Sequence, residues 1–276
     1  MSFIAEELCV SIMTVLRVLR DFYQPTLPQK ADLPKVLCFD EFKSGSFAEG
    51  AMSCILMDGE AGKLVDIIEN RQKKKLEAYF QRYSLEKRSQ VQLVVTDFYS
   101  PYITLTKELF PNANVLIDRF HIVQLIGKSF QNHRISVMKS FPTNKKEYKH
   151  LKKYWKLLQK QQSELDWQNR YWRPSFRDHL TQTEIVDRML SYNEKLKQSY
   201  EVYQSFLSVL QYHEQEEKQQ EAIEGFQSLL MQSYKHLPES YQTTIKTYKK
   251  YQKEILLALL TTSLLKWPCR DDKQPY

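Results

Sequence analysis

Two aspartates in the first half of the chain follow short apolar runs, and both are of a type that could do chemistry. Asp40 ends the run "KVLCFD", and Asp97 ends the run "VQLVVTD". Neighbouring carboxylates repel each other unless a cation lies between them, and Mg²⁺ is the hard cation that such oxygens hold. Two Mg²⁺ ions about 3.5–4 Å apart activate an attacking oxygen and stabilise a leaving one in phosphodiester chemistry. The alternative for each residue is a turn acid, or a helix cap in the case of Asp97.

The surrounding sequence predicts the elements that position these acids. Residues 35–138 have the pattern of a short strand, a hairpin around Asp58–Gly62, a helix, and then strands that alternate with helices. This β-β-β-α-β-α-β-α order predicts an α/β domain. Because the first three strands form a meander, the first and fourth strands can lie side by side in a mixed sheet. Asp40 and Asp97 would then meet at one end of that sheet.

The second half of the chain has a different composition. From about residue 142 it is rich in Lys, Gln, Glu, Tyr and Leu, and its apolar residues keep helical spacing. We therefore predict an all-helical region. Its run "NKKEYKHLKKYWK" suits a DNA partner, but such runs are more typical of a solvated helix face.

The N-terminal residues predict two short helices, of which the second is capped by Ser11. Four polar residues lie along this second helix, namely Ser11, Thr14, Arg17 and Arg20. It resembles the recognition helix of a helix-turn-helix, which enters the major groove of DNA. The alternative is an amphipathic helical hairpin with solvated arginines. Residues 23–34 contain three prolines and have the composition of a linker.

Composition and charge narrow the class of protein. Hydrophobic residues make up 42% of the chain and aromatic residues 13%, which argues against a disordered protein. The formal charge of +7 suits a polyanionic partner, although a merely basic protein would have it too. The four cysteines form no C-x-x-C pair, which disfavours a zinc site and indicates a reducing compartment. Without a signal peptide or a long apolar stretch, the sequence predicts a cytoplasmic protein with no membrane partner.

Four blocks of sequence resemble a known family in their order and spacing. They are "LCFDEFKSG", "GAMSCILMDGEAGKLVDIIENRQ", "VVTDFYSPY" and "NVLIDRFHIVQ". They resemble the insertion-sequence transposases of the ISL-three family, which are DDE enzymes with a ribonuclease-H-like core. The resemblance implies the following division: a partial helix-turn-helix at 1–22, a linker at 23–34, a ribonuclease-H-like mixed sheet core at 35–140, and an all-helical insertion with the last core helix at 141–263.

The resemblance also implies roles for individual residues. The first and second catalytic, metal-binding acids of the family fall on Asp40 and Asp97. Asp118 and His121 match a further motif of the family and would have a supporting role. Their alternatives are a helix cap for Asp118, and packing beside Phe120 for His121.

The function implied by the resemblance is DNA transposition. Such an enzyme uses two Mg²⁺ ions to cleave DNA at the element ends and to join those ends to target DNA. Its partners would be the element ends, the target DNA and further copies of the chain in a full-length homo-oligomer. It would be cytoplasmic and associated with the nucleoid. The alternative is a non-catalytic DNA-binding or dimerising protein that interferes with full-length transposase.

The third acid of the family falls in the tail of the chain, where the expected motif is missing. The family carries a glutamate in a "YSNGPxEGxNN"-like segment after the insertion, whereas this chain continues from Leu264 as "LLKWPCRDDKQPY". Reading its codons one nucleotide later, with suitable synonymous choices, gives "YSNGPVEMTNNP". We therefore interpret residues 264–276 as a frameshifted tail, and we expect a chain that is truncated at both ends and defective as an enzyme. Glu239 and Glu254 lie outside the motif.

Overall fold

The computed structural model describes residues 9–22, 32–45, 48–210 and 216–261. The first part of the chain forms a helix, then a sheet with its connecting helices: α1 (Ile12–Phe22), β1 (Val36–Lys43), β2 (Met52–Asp58), β3 (Lys63–Ile68), α2 (Lys73–Phe80), α3 (Leu85–Ser89), β4 (Leu93–Thr96), α4 (Ser100–Leu109), β5 (Asn114–Ile117) and α5 (Arg119–Ser140). The second part is mainly helical: α6 (Lys146–Lys153), two 3₁₀ turns (Leu157–Gln159 and Gln162–Glu164), β6 (Tyr171–Arg173), β7 (Asp178–Leu180), α7 (Gln182–Leu190), α8 (Glu194–Leu210), α9 (Glu216–Met231), α10 (Glu239–Lys250) and α11 (Gln252–Leu260).

The main sheet is mixed and has the strand order β3-β2-β1-β4-β5. The first three strands are antiparallel neighbours, and β4 and β5 run parallel to β1. This arrangement follows from the connections, because tight turns join antiparallel strands whereas parallel strands need a longer crossover. The predicted ribonuclease-H-like mixed sheet is confirmed, as is the side-by-side placement of β1 and β4. The short helix α3, capped by the Ser84 hydroxyl, was not predicted.

The turn between β2 and β3 depends on two glycines. Gly62 has a φ of 68°, which is a left-handed conformation that suits glycine. The N–H of Gly59 donates to the carbonyl of Val36 at 2.9 Å. A Cβ atom on Gly59 would lie 2.6 Å from Val36 Cγ1 and 2.8 Å from Cys38 Sγ. The turn therefore lies directly against the start of β1, with no room for a side chain.

Each face of the sheet is covered by helices. On one face, residues such as Leu37 and Phe39 of β1 pack in a cluster with α2 and α4. On the other face, Cys38 belongs to a larger cluster that continues through α5 into the second part of the chain. Within that larger cluster the rings of Phe130 and Tyr203 stack at 5.0 Å. The sheet and the helical part therefore share one hydrophobic core.

The helical part also contains a small hairpin, which corrects the prediction of an all-helical insertion. Strands β6 and β7 pair antiparallel, and the N–H groups of Phe176 and Arg177 both donate to the carbonyl of Arg173 at 2.9 Å. Pro174 cannot continue a helix, and the aromatic residues of β6 favour an extended backbone. Strands of three residues are too short to give a clear periodic pattern in sequence.

In the described residues, no helix combines the length and the apolar character that crossing a membrane requires. Residues 1–8, most of the predicted linker and the interpreted tail at 264–276 lie outside the described part of the chain.

Candidate active site at the carboxyl edge of the sheet

The register of β1 and β4 brings the two predicted acids to equivalent positions. Cys38 of β1 pairs with Val95 of β4 in the parallel ladder. Asp40 and Asp97 each lie two residues further along, and side chains alternate between faces along a strand. Asp40 therefore lies on the Cys38 face of β1, and Asp97 follows the last residue of β4 at the position level with it, close enough for the charge of Asp40 to raise its pKa. The sequence predicted this placement.

Asp118 continues the same row onto β5. The ladder pairs Thr96 with Ile117, so that Asp97 and Asp118 follow at equivalent positions. The N–H of Asp118 donates to the carbonyl of Thr96 at 2.9 Å. Asp97 and Asp118 thus follow the last residues of β4 and β5, whereas Asp40, which was predicted to end β1, lies within that strand, because its antiparallel pairing with β2 continues to Lys43.

Asp97 is both a turn residue and a member of this row. Its Oδ1 accepts a hydrogen bond from the N–H of Tyr99 at 2.8 Å, which fixes the turn into α4. The side chain is half-buried. Within the described residues, Oδ2 of Asp97 makes no hydrogen bond, so one oxygen fixes the turn while the other stays available.

The electrostatic environment of Asp97 shows how closely the charged groups are arranged. Burial raises the pKa of Asp97 above its usual value, and the charges of Glu41 and Asp40 raise it further. The N–H of Tyr99 and the charge of His121 act in the opposite direction. Burial is thus the main cause of the raised pKa, and the effects of Glu41 and Asp40 show that two further carboxylates lie close to Asp97.

A charged pair lies beside the row, on the opposite face of β1. Arg71 donates to the carboxylate of Glu41 in an ion pair, and its guanidinium carbon lies 4.4 Å from the centre of the Tyr99 ring. Arg71 thus neutralises Glu41, which follows Asp40, and it also contacts the ring of Tyr99, two residues after Asp97. Sequence reasoning missed Arg71, because nothing in "ENRQ" distinguishes it from a solvated arginine.

Asp118 and His121 both show the structural roles that the sequence left open. Asp118 caps α5, since its Oδ1 accepts from the N–H of Phe120 at 3.0 Å. The ring of His121 stands edge-on to that of Phe120 at 5.3 Å. His121 nevertheless lies near enough to Asp97 to lower the pKa of that carboxyl. Asp118 therefore caps a helix and His121 packs beside Phe120, while both residues also lie close to Asp97.

Glu254 does not join this row. Its carboxylate lies 3.5 Å from the ammonium of Lys107, in α4. Lys107 is seven residues into that helix, about 10 Å from the end near Asp97 at 1.5 Å per residue. Because α4 connects two parallel strands, it runs back toward the opposite edge of the sheet. Across the described ranges, no three His, Cys, Asp or Glu side chains come together as a metal site.

The predicted DNA-binding residues are at the start of the chain. Ser11 caps α1, because its Oγ accepts from the N–H of Thr14 at 3.0 Å, and the two hydroxyls are 2.9 Å apart. Arg17 is exposed. The side chain of Arg20 lies outside the described residues. Ser11 and Thr14 therefore stabilise the helix end, and Arg17 has a side chain available to a partner.

Comparison with known proteins agrees with this arrangement. A family model of DDE transposases of the ISL-three family, described as "Transposase", matches residues 37–263. A protein from Lactococcus lactis subsp. lactis, named "ATP-dependent protease", is 37% identical over 81 residues, which are 29% of this chain and 23% of that protein. The chain thus aligns with less than a quarter of that relative's length. No solved structure matches the chain. With the family model covering most of its length and both acids inside the match, the chain belongs to the ISL-three family of DDE transposases.

Proposed function

We propose that Asp40 and Asp97 hold Mg²⁺ and belong to a site for DNA strand cleavage and strand transfer. The observation that supports this proposal is the register of β1 and β4, which brings Asp40 and Asp97 to the same level of two neighbouring strands, near enough for one carboxylate to raise the pKa of the other. The donor set fits the ion, because Mg²⁺ is usually bound through one or two carboxylates together with waters and substrate phosphates. When bound, Mg²⁺ activates the attacking oxygen and stabilises the leaving one.

The neighbouring residues would support these two acids without binding the ion themselves. The N–H of Tyr99 holds one oxygen of Asp97 in place. Arg71 neutralises Glu41 and so limits the negative charge around the pair. Asp118 fixes the start of α5, from which His121 places its charge near Asp97. DNA is the substrate that membership of a transposase family implies.

We further propose that this chain is defective in both DNA cleavage and strand transfer. The family match ends at residue 263, and residues 264–276 contain no glutamate. Glu254 pairs with Lys107 away from the row and does not replace the missing acid. The alternative function, a DNA-binding or dimerising protein that interferes with full-length transposase, follows from the same defect.

Metal binding tests the two-acid site directly. We expect the protein to bind Mn²⁺, as measured by electron paramagnetic resonance. We expect Mg²⁺ to compete with Mn²⁺ for the same site. Asp97→Asn should weaken binding at least tenfold. The control is Glu60→Gln, which makes the same charge change on an exposed residue at the other end of the sheet. Equal Mn²⁺ affinity in all three proteins would contradict the site.

A cleavage assay separates the enzyme from its alternative. With DNA that carries the element ends, we expect binding without Mg²⁺-dependent nicking. Nicking that Asp97→Asn abolishes would overturn the proposed defect and support an active enzyme. The frameshift has its own test: the DNA beyond codon 263, read one nucleotide later, should continue into the family motif.

A further inference from the structure

Three large aromatic side chains are exposed around the hairpin β6–β7. Trp167 is 71% exposed, Tyr171 56% and Trp172 54%. Rings of this size normally contribute to a core, and neighbouring exposed rings are typical of a surface that binds a partner. Backbone hydrogen bonds to Arg173 fix the turn of the hairpin, and Trp172 contacts the ring of His179 across the two strands at 5.2 Å while remaining exposed to solvent.

A strongly basic segment lies beside the hairpin. Residues 145–160, which include α6, contain seven lysines and a single acid, Glu147. All seven lysines are exposed, and within the described residues none of them forms an ion pair. Unpaired like charges repel one another, so this segment favours a polyanionic partner.

The hairpin is fixed to this basic segment by specific contacts. A ring nitrogen of His150 lies 2.9 Å from the carbonyl oxygen of Ser175, and the Tyr154 hydroxyl lies 2.7 Å from the Ser175 hydroxyl. The rings of His150 and Phe176 stack at 3.8 Å. Because His150 and Tyr154 come from α6 and the residue that follows it, the basic segment and the turn of the hairpin pack directly against each other.

The charge of the hairpin itself favours nucleic acid over an apolar protein partner. Arg177 is exposed and, among the described residues, has no acidic partner. The guanidinium carbon of Arg173 lies 5.4 Å from the centre of the Tyr171 ring. Exposed aromatic rings interleaved with arginines and bordered by lysines have the composition of surfaces that bind unpaired nucleic-acid strands.

We infer that this surface, made of residues 145–160 and the hairpin with Trp167, binds DNA that has unpaired bases. The lysines would contact phosphates, and the exposed rings would stack on the bases, with Tyr171 on one side of the hairpin and Trp172 on the other. In duplex DNA the bases stack on one another, so their faces are not available to the aromatic rings. The lysines alone would then contact a duplex, through its phosphates. The inference rests on the DNA substrate of the proposed function but not on its metal site.

The test compares two variants on two DNAs of the same sequence, one single-stranded with 2-aminopurine and one duplex. Tyr171→Ala combined with Trp172→Ala should weaken single-strand binding by at least about fivefold, the lower limit for the loss of one stacked base, and reduce the fluorescence quenching that stacking causes. Its affinity for duplex should stay within about twofold. Lys149→Gln combined with Lys152→Gln should weaken both DNAs and reduce the slope of log affinity against log salt by about 1.4–1.8.

Matched controls make each outcome decisive. Met231→Ala removes another exposed apolar side chain, and Lys63→Gln removes an exposed lysine from the sheet; neither should change binding. Thermal melting confirms that each variant is folded. Unchanged single-strand affinity in the aromatic variant would overturn the inference. If the aromatic variant lost self-association instead of DNA affinity, the surface would bind a protein partner, which would also overturn the inference. The aromatic variant should bind Mn²⁺ as the parent does, so the metal site and this surface are tested separately.

Discussion

Asp40 and Asp97 occupy equivalent positions on neighbouring parallel strands, each two residues beyond the Cys38–Val95 pair. They lie at the same level of the sheet because the register of β1 and β4 sets both positions. A shift of one residue in β1 would turn Asp40 to the opposite face of the sheet, and a shift in β4 would move Asp97 out of line with it. The site therefore depends on the packing that holds these two strands in register.

Replacing Asp97 by Asn should stabilise the protein at neutral pH. Burial and nearby negative charge raise the pKa of Asp97 above its unfolded value, so above that raised pKa the folded state holds an unfavourable carboxylate. As pH falls through the raised pKa toward about 3.8, the folded state takes up the proton first and regains stability. The difference in Tm between variant and parent should therefore be largest at pH 7–8 and shrink on acidification.

Asn keeps the oxygen that accepts from Tyr99, so the turn is preserved in this comparison. Glu60→Gln serves as the control and should show no such pH-dependent difference. A variant that is less stable than the parent at pH 7 would contradict the prediction.

Arg71→Met should destabilise the fold by about 1–2 kcal/mol. It leaves Glu41 without its partner, close to Asp97. Both side chains of the pair are about a quarter exposed, at 28% and 22%, so the effect lies between those of surface and buried pairs. Urea unfolding measures it. The double variant Arg71→Met with Glu41→Gln should recover most of the loss, and no recovery would mean that Arg71 acts through Tyr99 instead.

Two glycines should respond oppositely to substitution by alanine. Gly59→Ala forces a Cβ against Val36 and Cys38 and should cost about 1–3 kcal/mol. Gly127→Ala lies within α5, where the nearest side-chain atom is at an ordinary 3.8 Å, and should stabilise by about 0.5–1 kcal/mol. Denaturant melts of both variants give the comparison, and a neutral Gly59→Ala would show that the turn can move away from β1.

Mildly acidic pH should weaken the contacts by which His150 holds the hairpin to α6. Burial lowers the pKa of His150 below its usual value, so below about pH 6.5 the unfolded chain takes up a proton before the folded one does. Stability is lost as pH falls through that range. His150→Gln cannot take up this proton, so its free energy of unfolding should fall less between pH 7.5 and 5.5. Equal slopes for variant and parent would assign the pH dependence to other groups, such as His133.

The sheet was predictable because its signals are local. The strands of β1, β4 and β5 are apolar runs that end in acids, and the turn with Gly59 and Gly62 fixes the hairpin. The adjacency of β1 and β4 followed from those connections. The placement of Arg71 over Tyr99 was not predictable, since it depends on how a loop after β3 meets a helix start across the sheet.

The hairpin β6–β7 escaped prediction for a similar reason. Its strands are held by contacts with α6, through His150 and Tyr154, that lie about 20 residues away in sequence. The roles of Asp40, Asp97, Asp118 and His121 stay predictions, supported by their place in one row but tested only by the metal and cleavage assays.

The shared core also sets an order of events during synthesis. The Tyr248 hydroxyl donates to the carbonyl of Ile122 at 2.6 Å, across 126 residues of chain. At the 5–20 residues per second of translation, Tyr248 is added about 6–25 s after Ile122. During that interval α5 and the Cys38 face of the sheet lack the helices that cover them. The nascent chain therefore exposes apolar surface beside its acid row for seconds, and a chaperone that shields this surface would raise the yield of folded protein.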